Sequence, residues 1–492
     1  MKRFKRAICL VLALLMLVGA LVSCKKKEEP TDTSVATTVE VDDGFAIAPE
    51  DNGGKEVSIL YNEGTAEYDV FNEVSSDSVG SAMFYRDITV EEHLGIDIVY
   101  HIEDGSWTAR NAFNQKIQAS AQAGVEHDYE MVFAYPGCSL VNNSQMGCFK
   151  NMYDYDDIIA YDKSWWLGSL EEYAINGALY CVFGDATLST YTQLECIFFN
   201  SEMVKVYDIE SPYDLVREGK WTYEKMFSTA LGLKENLDAD PTISYKNDIV
   251  GYMQGATPAR GWLTALDIDL ITSDNNGNMS FARSASEKLI DAYNYMYGVF
   301  ANNTNVYSGD GENNGEDMKK AFADGRVLYY LAYLGTIDNG NFAAMEDDWG
   351  LVPLPMYNED QEDYICPLGT SAGMICIMNN ANDDALCAKT LECMSYFTNR
   401  DCVDEYYVKA LGERRARDEN VSEMLGIIRS NSKLTFVAVY CGAFDPAVFN
   451  ILQMDEKWRS SSYVGENVTS YWSSNFRRWN KNLETLVNQT TE

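Results

Sequence analysis

The sequence predicts an α/β fold of more than one domain, with mixed sheets flanked by helices. Three observations carry this. At 492 residues the chain is too long for one ordinary hydrophobic core. Its 46% hydrophobic and 23% charged composition is that of a globular protein. Between Glu56 and Ala134, strand signals alternate with helix signals, the pattern of a parallel or mixed sheet covered by helices.

In chain order, Glu56–Tyr61 (EVSILY) reads as a strand ending at Asn62-Glu63-Gly64. A helix over Ala82–Leu94 leads to a second strand, Ile96–His101. Phe113, Ile117 and Ala121 at four-residue spacing make Arg110–Ala123 a helix stopped by Gly124, and Glu130–Ala134 is a third strand. Ligands on such sheets meet loops at the carboxyl ends of strands, which singles out Asn62, Glu63, Trp107 and Tyr135. Two apolar runs follow, Ala178–Phe183 and Glu195–Asn200, both read as strands and joined by a polar connection through Asp185, Thr187 and Thr190. A helix over Ser201–Tyr207 precedes a stop at Pro212. Thr222 is an N-cap with Glu224 in the first turn, where the helix dipole favours negative charge.

Ile249–Ile271 reads as a mixed stretch around Trp262, and Asp274–Met279 as the turn of a hairpin. Leu289, Tyr293, Met296 and Phe300 share one face of a helix over Glu287–Phe300. Asn302–Gly315 is polar loop, Glu316–Asp324 a helix stopped by Gly325, and Arg326–Leu334 an apolar strand. Beyond the extended stretches Trp349–Tyr357 and Cys366–Ile377 come a helix over Asp384–Phe397, one with Val421, Met424, Leu425 and Ile428 as its core face, and a helical tail through Asn488.

The N-terminus carries a separate signal. Lys2, Arg3, Lys5 and Arg6 precede the apolar run Ala7–Val22, which is short against the roughly 20 residues a spanning helix needs and reads as an export signal. Leu21-Val22-Ser23-Cys24 looks like the lipobox of a bacterial lipoprotein, with Cys24 as the lipid-bearing residue and a polar tether running on to Gly54. The alternative is an ordinary signal peptide in which Cys24 is incidental. A net charge of −37 argues against a nucleic-acid partner and against docking on anionic lipid, and serves solubility. No C-x-x-C occurs and the three histidines are scattered, so no metal site and no cofactor are expected. Cys138 and Cys148 are the best disulfide candidates. The many other thiols suggest a reducing habitat.

Several motifs share an order found elsewhere. Gly177, Tyr180 and Gly184, then Phe199-Asn200, then Pro212, Trp221, Thr222 and Glu224 come first. MKKAFADGRVLYYLAYLG, WGLVPLPMY and CPLGTSAGMICI follow. In this order the chain resembles bacterial extracellular solute-binding proteins of the maltose-binding-protein-like family (family 1). PYDLVREGKWTYEKM is similar to a Firmicutes/Clostridia-type branch. The sequence departs from the family pattern at Arg326 and Val327-Leu328, where Lys and Ala are usual.

The resemblance implies a type II periplasmic-binding-protein-like fold of two α/β lobes, with crossings near Ala186–Cys196 and Pro353–Pro367. It implies a signal peptide over 1–23, a lipidated Cys24 and tether over 24–54, and a first lobe over 55–190. The second lobe would span 191–355, and 356–492 would return to the first lobe with the C-terminal helices. Tyr333 and Gly335 would face the ligand cleft. The implied role is non-catalytic: a monomeric, lipid-anchored protein on the outer face of the cell membrane, delivering a solute to an ABC permease.

The expected ligand is a carbohydrate, in particular an oligosaccharide. Trp107, Tyr135, Tyr191, Trp262 and Tyr333 offer flat faces for sugar rings, and Asn62, Glu63, Asp185, Thr187 and Ser371 offer flanking hydrogen-bonding groups. Core packing explains any one of them equally well; it is the group that suggests a cleft. Amino-acid and anion sites need fixed positive charge, for which Arg110 and Arg260 are the nearby guanidinium candidates. The alternatives are a cationic solute such as a polyamine, held by Glu63, Asp185 and aromatic faces, and a ligand-sensing adaptor that reports to a receptor. A glycoside-processing enzyme needs two carboxylates about 5–10 Å apart, but no G-x-S-x-G, H-E-x-x-H or Walker motif accompanies the 75 acidic residues.

Overall fold

The computed structural model describes residues 44–490 apart from 239, 274–277, 310–314, 341, 343–344, 412–417 and 445–447. The signal segment, Cys24, most of the tether and the 274–277 turn lie outside the described residues. Strands β1 (Lys55–Asn62), β2 (Ile96–Glu103) and β3 (Met131–Ala134) come first, separated by the helices Ser78–Leu94 and Arg110–Gln122. There follow β4 (Glu195–Asn200), β5 (Lys234–Glu235), β6 (Ile249–Gln254), β7 (Ile271–Ser273), β8 (Met279–Phe281), β9 (Val306–Ser308), β10 (Val327–Tyr333) and β11 (Trp349–Val352). Last are β12 (Cys366–Pro367), β13 (Met374–Ile377) and β14 (Ser432–Lys433).

These strands make two principal sheets. The first has the order β13-β3-β1-β2, with β1 parallel to β2 and β3, and β13 antiparallel to β3. The second runs β11-β4-β10-β6-β5, with β9 beside β6. In the second, β10 is antiparallel to β4 and parallel to β6. Val57–Asn62 of β1 and all of β4 are buried, as their largely apolar runs require of strands covered on both faces.

Local chemistry sets most helix boundaries. Asp77 caps Ser78–Leu94 by accepting from the Val79 amide at 3.1 Å, and Gly95 closes that helix in the left-handed conformation at φ 59°. Thr222 caps Tyr223–Leu231 as the sequence predicts, accepting from the Lys225 amide at 3.3 Å. Pro212 is a correction: it starts the helix Pro212–Arg217 behind a Ser211 cap instead of stopping one, because a proline at the first helical position loses no needed amide.

Three further expectations change. Ala178–Phe183 is not a regular strand; it makes single bridges, Val182 to Ile375 among them, while Leu179 donates to Asn151 Oδ1 at 2.8 Å. The loop over Asn302–Gly315 contains β9, which extends the second sheet. The expected Cys138–Cys148 bridge is absent, and both thiols are free. Cys138 sits in the first turn of the helix Pro136–Gln145 and Cys148 beyond its far end; at 1.5 Å rise per residue the intervening turns hold them about 10 Å apart, past the roughly 7 Å limit for a disulfide.

The two sheets are joined by segments that run side by side. Leu194 bridges Leu368, the Gly369 amide donates to Gln193 O at 2.9 Å, and the Leu334 amide donates to Leu194 O at 2.8 Å. β12 pairs with β14 in parallel, which adds a third strand segment to this junction. The sequence reading puts the C-terminal helix Val468–Gln489 on the first lobe, yet it serves both sides. Tyr180 donates to Thr490 O at 2.8 Å on one side, and Trp472 Nε1 donates to Ala282 O at 2.9 Å beside the β7–β8 hairpin on the other. Among the described residues no helix is long and apolar enough to cross a membrane.

Candidate functional site

Tyr333, the last residue of β10, stands directly opposite Glu195, the first of β4. Opposite residues of an antiparallel pair project from the same face, and both line a cavity of about 930 Å³. The short turn Pro258–Gly261 after β6 brings Arg260 into the same wall, while Pro367, Thr370 and Phe449 close it from the returning chain. Gly261 is required there, since a Cβ would run into the Glu195 carboxyl.

The polar groups of this cavity are left open. Glu195 is 2% exposed and, among the described residues, neither its Oε2 nor Arg260 Nε has a hydrogen-bond partner. Burial pushes the Glu195 carboxyl well above the usual carboxylate range, and the opposing pull of Arg260 does not cancel it. Among the described residues no carboxylate pairs with Arg260, whose guanidinium carbon lies 5.2 Å from the Phe449 ring centre. At the rim, Lys433 is taken by Glu172 at 2.7 Å. Buried polar atoms without partners are uncommon in folded proteins. A ligand hydroxyl can satisfy both kinds, donating to a carboxyl oxygen and accepting from a guanidinium.

Tyr333 also lines a second cavity of about 370 Å³, together with Tyr135, Gln193, Lys319, Gly335 and Ser371. Gln193 Oε1 is buried there without a partner. Gly64 lets Tyr135 approach, because its missing Cβ would meet the Tyr135 hydroxyl. Helix Glu63–Asp69 and the loop after β3 supply one wall, and the end of β10 and Lys319 from the middle of helix Gly315–Ala323 the other.

The structure divides the residues singled out in the sequence. It brings together Tyr135, Tyr333 and Ser371. Asn62 caps a helix and its Oδ1 accepts from the Gly105 amide at 3.1 Å, while its buried Nδ2 has no partner among the described residues. Glu63 is exposed beside the smaller cavity without lining it, and Trp107 is 62% exposed with Arg110 stacked on it at 3.8 Å. Asp185 is fully buried and accepts from Arg429 at 2.7 Å, Tyr191 at 2.8 Å and Asn399 at 2.8 Å. Thr187 donates to Asp69 at 2.6 Å, and Asp69 also takes the Leu188 amide at 2.7 Å and the Tyr61 hydroxyl at 2.8 Å. Trp262 is fully buried, donates to Gln254 Oε1 at 2.8 Å and packs on Phe227. Asp185, Thr187 and Trp262 thus have their polar groups used within the protein. Sequence reasoning missed Gln193 and Glu195; the signal for Glu195 is a carboxylate opening an otherwise apolar strand, ECIFFN.

A family model described as bacterial extracellular solute-binding protein matches residues 101–419. The chain belongs to this family. Solved structures similar to this solute-binding protein include the galacto-N-biose-/lacto-N-biose I-binding protein of an ABC transporter from Bifidobacterium longum, in complex with lacto-N-biose. That match has a TM-score of 0.55 at 9% identity, covering 89% of this chain and 98% of that one. An ABC transporter solute-binding protein from Agrobacterium radiobacter K84, in complex with ribitol, matches with a TM-score of 0.52 at 12% identity, covering 88% of this chain and 100% of that one. The GacH receptor of Streptomyces glaucescens, solved unliganded and with acarbose, matches with a TM-score of 0.52 at 13% identity, covering 87% and 99%. At these identities the likeness is one of fold, and the two sheets are the cores of a two-lobe periplasmic-binding-protein-like architecture. No curated protein matches the sequence.

Proposed function

We propose that this solute-binding protein captures a carbohydrate, in particular an oligosaccharide, in the cleft around Tyr333 and delivers it to an ABC permease. The observation that carries the reading is the set of partnerless polar atoms of Gln193, Glu195 and Arg260 around two tyrosines, in cavities of about 930 and 370 Å³ that meet at Tyr333. A hydroxyl-rich ring satisfies such atoms while its apolar face packs on an aromatic ring. Similar folds holding lacto-N-biose, ribitol and acarbose support the same reading. Of the groups named for a cationic ligand, Asp185 is already held by Arg429 and Glu63 stands outside the cavity lining.

In this reading residues 55–190 and the return from 356 form one lobe, 191–355 the other, and the ligand bridges them. Closure on the ligand presents a composite surface to the permease, as hinge-closing binding proteins do. Cys24 carries the lipid and holds a monomer at the outer face of the membrane. Calorimetric titration of the full chain with an oligosaccharide panel tests the function. Saturable binding without turnover is expected; no binding to any saccharide, or hydrolysis of the bound one, overturns it.

A further inference from the structure

Arg260, half-buried in the cavity wall, differs from the other arginines drawn away from the surface. Arg86 pairs with Asp87 at 2.8 Å, Arg429 with Asp185 at 2.7 Å and Arg326 with Asp324 at 2.8 Å. A guanidinium removed from water is costly unless a charged or hydrogen-bonding partner meets it. With 75 acidic residues in the chain, partners are abundant, yet among the described residues none pairs with Arg260. The acidic group that shares its wall and feels its charge is Glu195, 2% exposed with an oxygen lacking any partner among the described residues. Both side chains line the same cavity.

We infer that the cleft takes an acidic saccharide, one whose ring carries a carboxylate that pairs with Arg260 while a neighbouring hydroxyl meets Glu195. This rests on the carbohydrate reading above and narrows its substrate class to uronic-acid-containing oligosaccharides. A planar guanidinium matches a carboxylate with two parallel hydrogen bonds, which gives both orientation and strength. Burial favours the protonated form of Glu195, which then donates to a ligand oxygen and does not repel the carboxylate.

The other acids of the cavity do not oppose this. Glu172 is neutralised by Lys433, and Glu171 and Asp269 are exposed, where water and salt screen them. The overall charge of −37 slows the approach of an anion. It does so over distances that physiological salt screens beyond about 8 Å, so it leaves the contact with Arg260 intact.

The experiment titrates the full chain with di- to tetrasaccharides of galacturonate, glucuronate and mannuronate, and with the methyl esters of the same compounds, by calorimetry. At least one free acid should bind about tenfold or more tighter than its ester, the scale of one charge-assisted contact. Arg260→Gln should abolish that difference, and Arg260→Lys should restore part of it. Thermal melts of each variant guard against misfolding, and the acid-to-ester comparison on the unaltered protein stands without them. Equal or tighter binding of the esters, or binding of neutral oligosaccharides alone, overturns the inference and leaves the carbohydrate reading in place. Failure of every saccharide to bind overturns both.

Discussion

Asp185 and Glu195 lie ten residues apart in the sequence, both fully or nearly fully buried, and each has an arginine in its surroundings. Around Asp185 both carboxylate oxygens are met inside the protein: Arg429, Asn399 and Tyr191 converge on them, and the Arg429 guanidinium, whose Nε is left without a partner among the described residues, lies 5.4 Å from the centre of the Tyr191 ring. Around Glu195 the same ingredients are left apart, with an open carboxyl oxygen, an Arg260 unpaired among the described residues and a tyrosine facing a cavity. The first arrangement holds elements distant in sequence together; the second keeps hydrogen-bonding capacity for something outside the chain. A buried polar group costs free energy unless it is paired, so closed clusters should answer to stability measurements and open ones to ligand measurements.

The largest effect is expected from Asp185→Ala. Removing one partner of a buried pair strands Arg429 and should cost about 3–5 kcal/mol in denaturant unfolding. A change below about 1 kcal/mol would mean the cluster is not closed in solution. Trp262→Ala should also cost about 3–5 kcal/mol, the scale of emptying a large core site, and would leave Gln254 without the donor it has at 2.8 Å. If it spares stability and weakens ligand alone, Trp262 belongs to the open region and the comparison breaks.

Asp69 sharpens the comparison by pH. Burial raises its carboxyl from 3.8 to about 6 in the fold, against the hydrogen bonds from Thr187, Leu188 and Tyr61. The folded state therefore holds the proton more tightly than the unfolded one, and this group adds stability as pH falls from about 7 toward 4. Its contribution is on the order of 3 kcal/mol. Asp338, also raised to about 6 by burial, acts in the same direction. Asp69→Asn should remove its share of the slope in melts recorded between pH 4 and 7, while an unchanged slope would place the titration elsewhere. Glu195→Gln should move stability by about 1 kcal/mol or less in either direction, since the group has no protein partner to lose, yet it should weaken ligand binding in the same titrations. Trp107→Ala should change stability by less than about 0.5 kcal/mol, as exposed sites do, and should leave affinity unchanged.

How legible was this in the sequence? Alternation and caps are local, so the strands of the first sheet, the Thr222 cap and the face through Val421, Met424, Leu425 and Ile428 can be read directly from residue patterns. The partners of buried polar residues cannot. Asp185 meets Arg429 across 244 positions, and nothing near either residue announces the pair. Trp262 follows a Thr-Pro-Ala-Arg-Gly turn that reads as a loop at a strand end, but the turn directs Arg260 into the cavity and Trp262 into the core. The same polar, aromatic vocabulary serves both purposes, and only the three-dimensional surroundings decide which residues keep a free hydrogen bond.

The most direct test of the open cleft is a structure of the protein with a bound saccharide. The ligand should lie against Tyr333, with oxygens within hydrogen-bond distance of Glu195 and Arg260 and with Gln193 newly engaged. A saccharide bound elsewhere, with those three side chains still without partners, would contradict it.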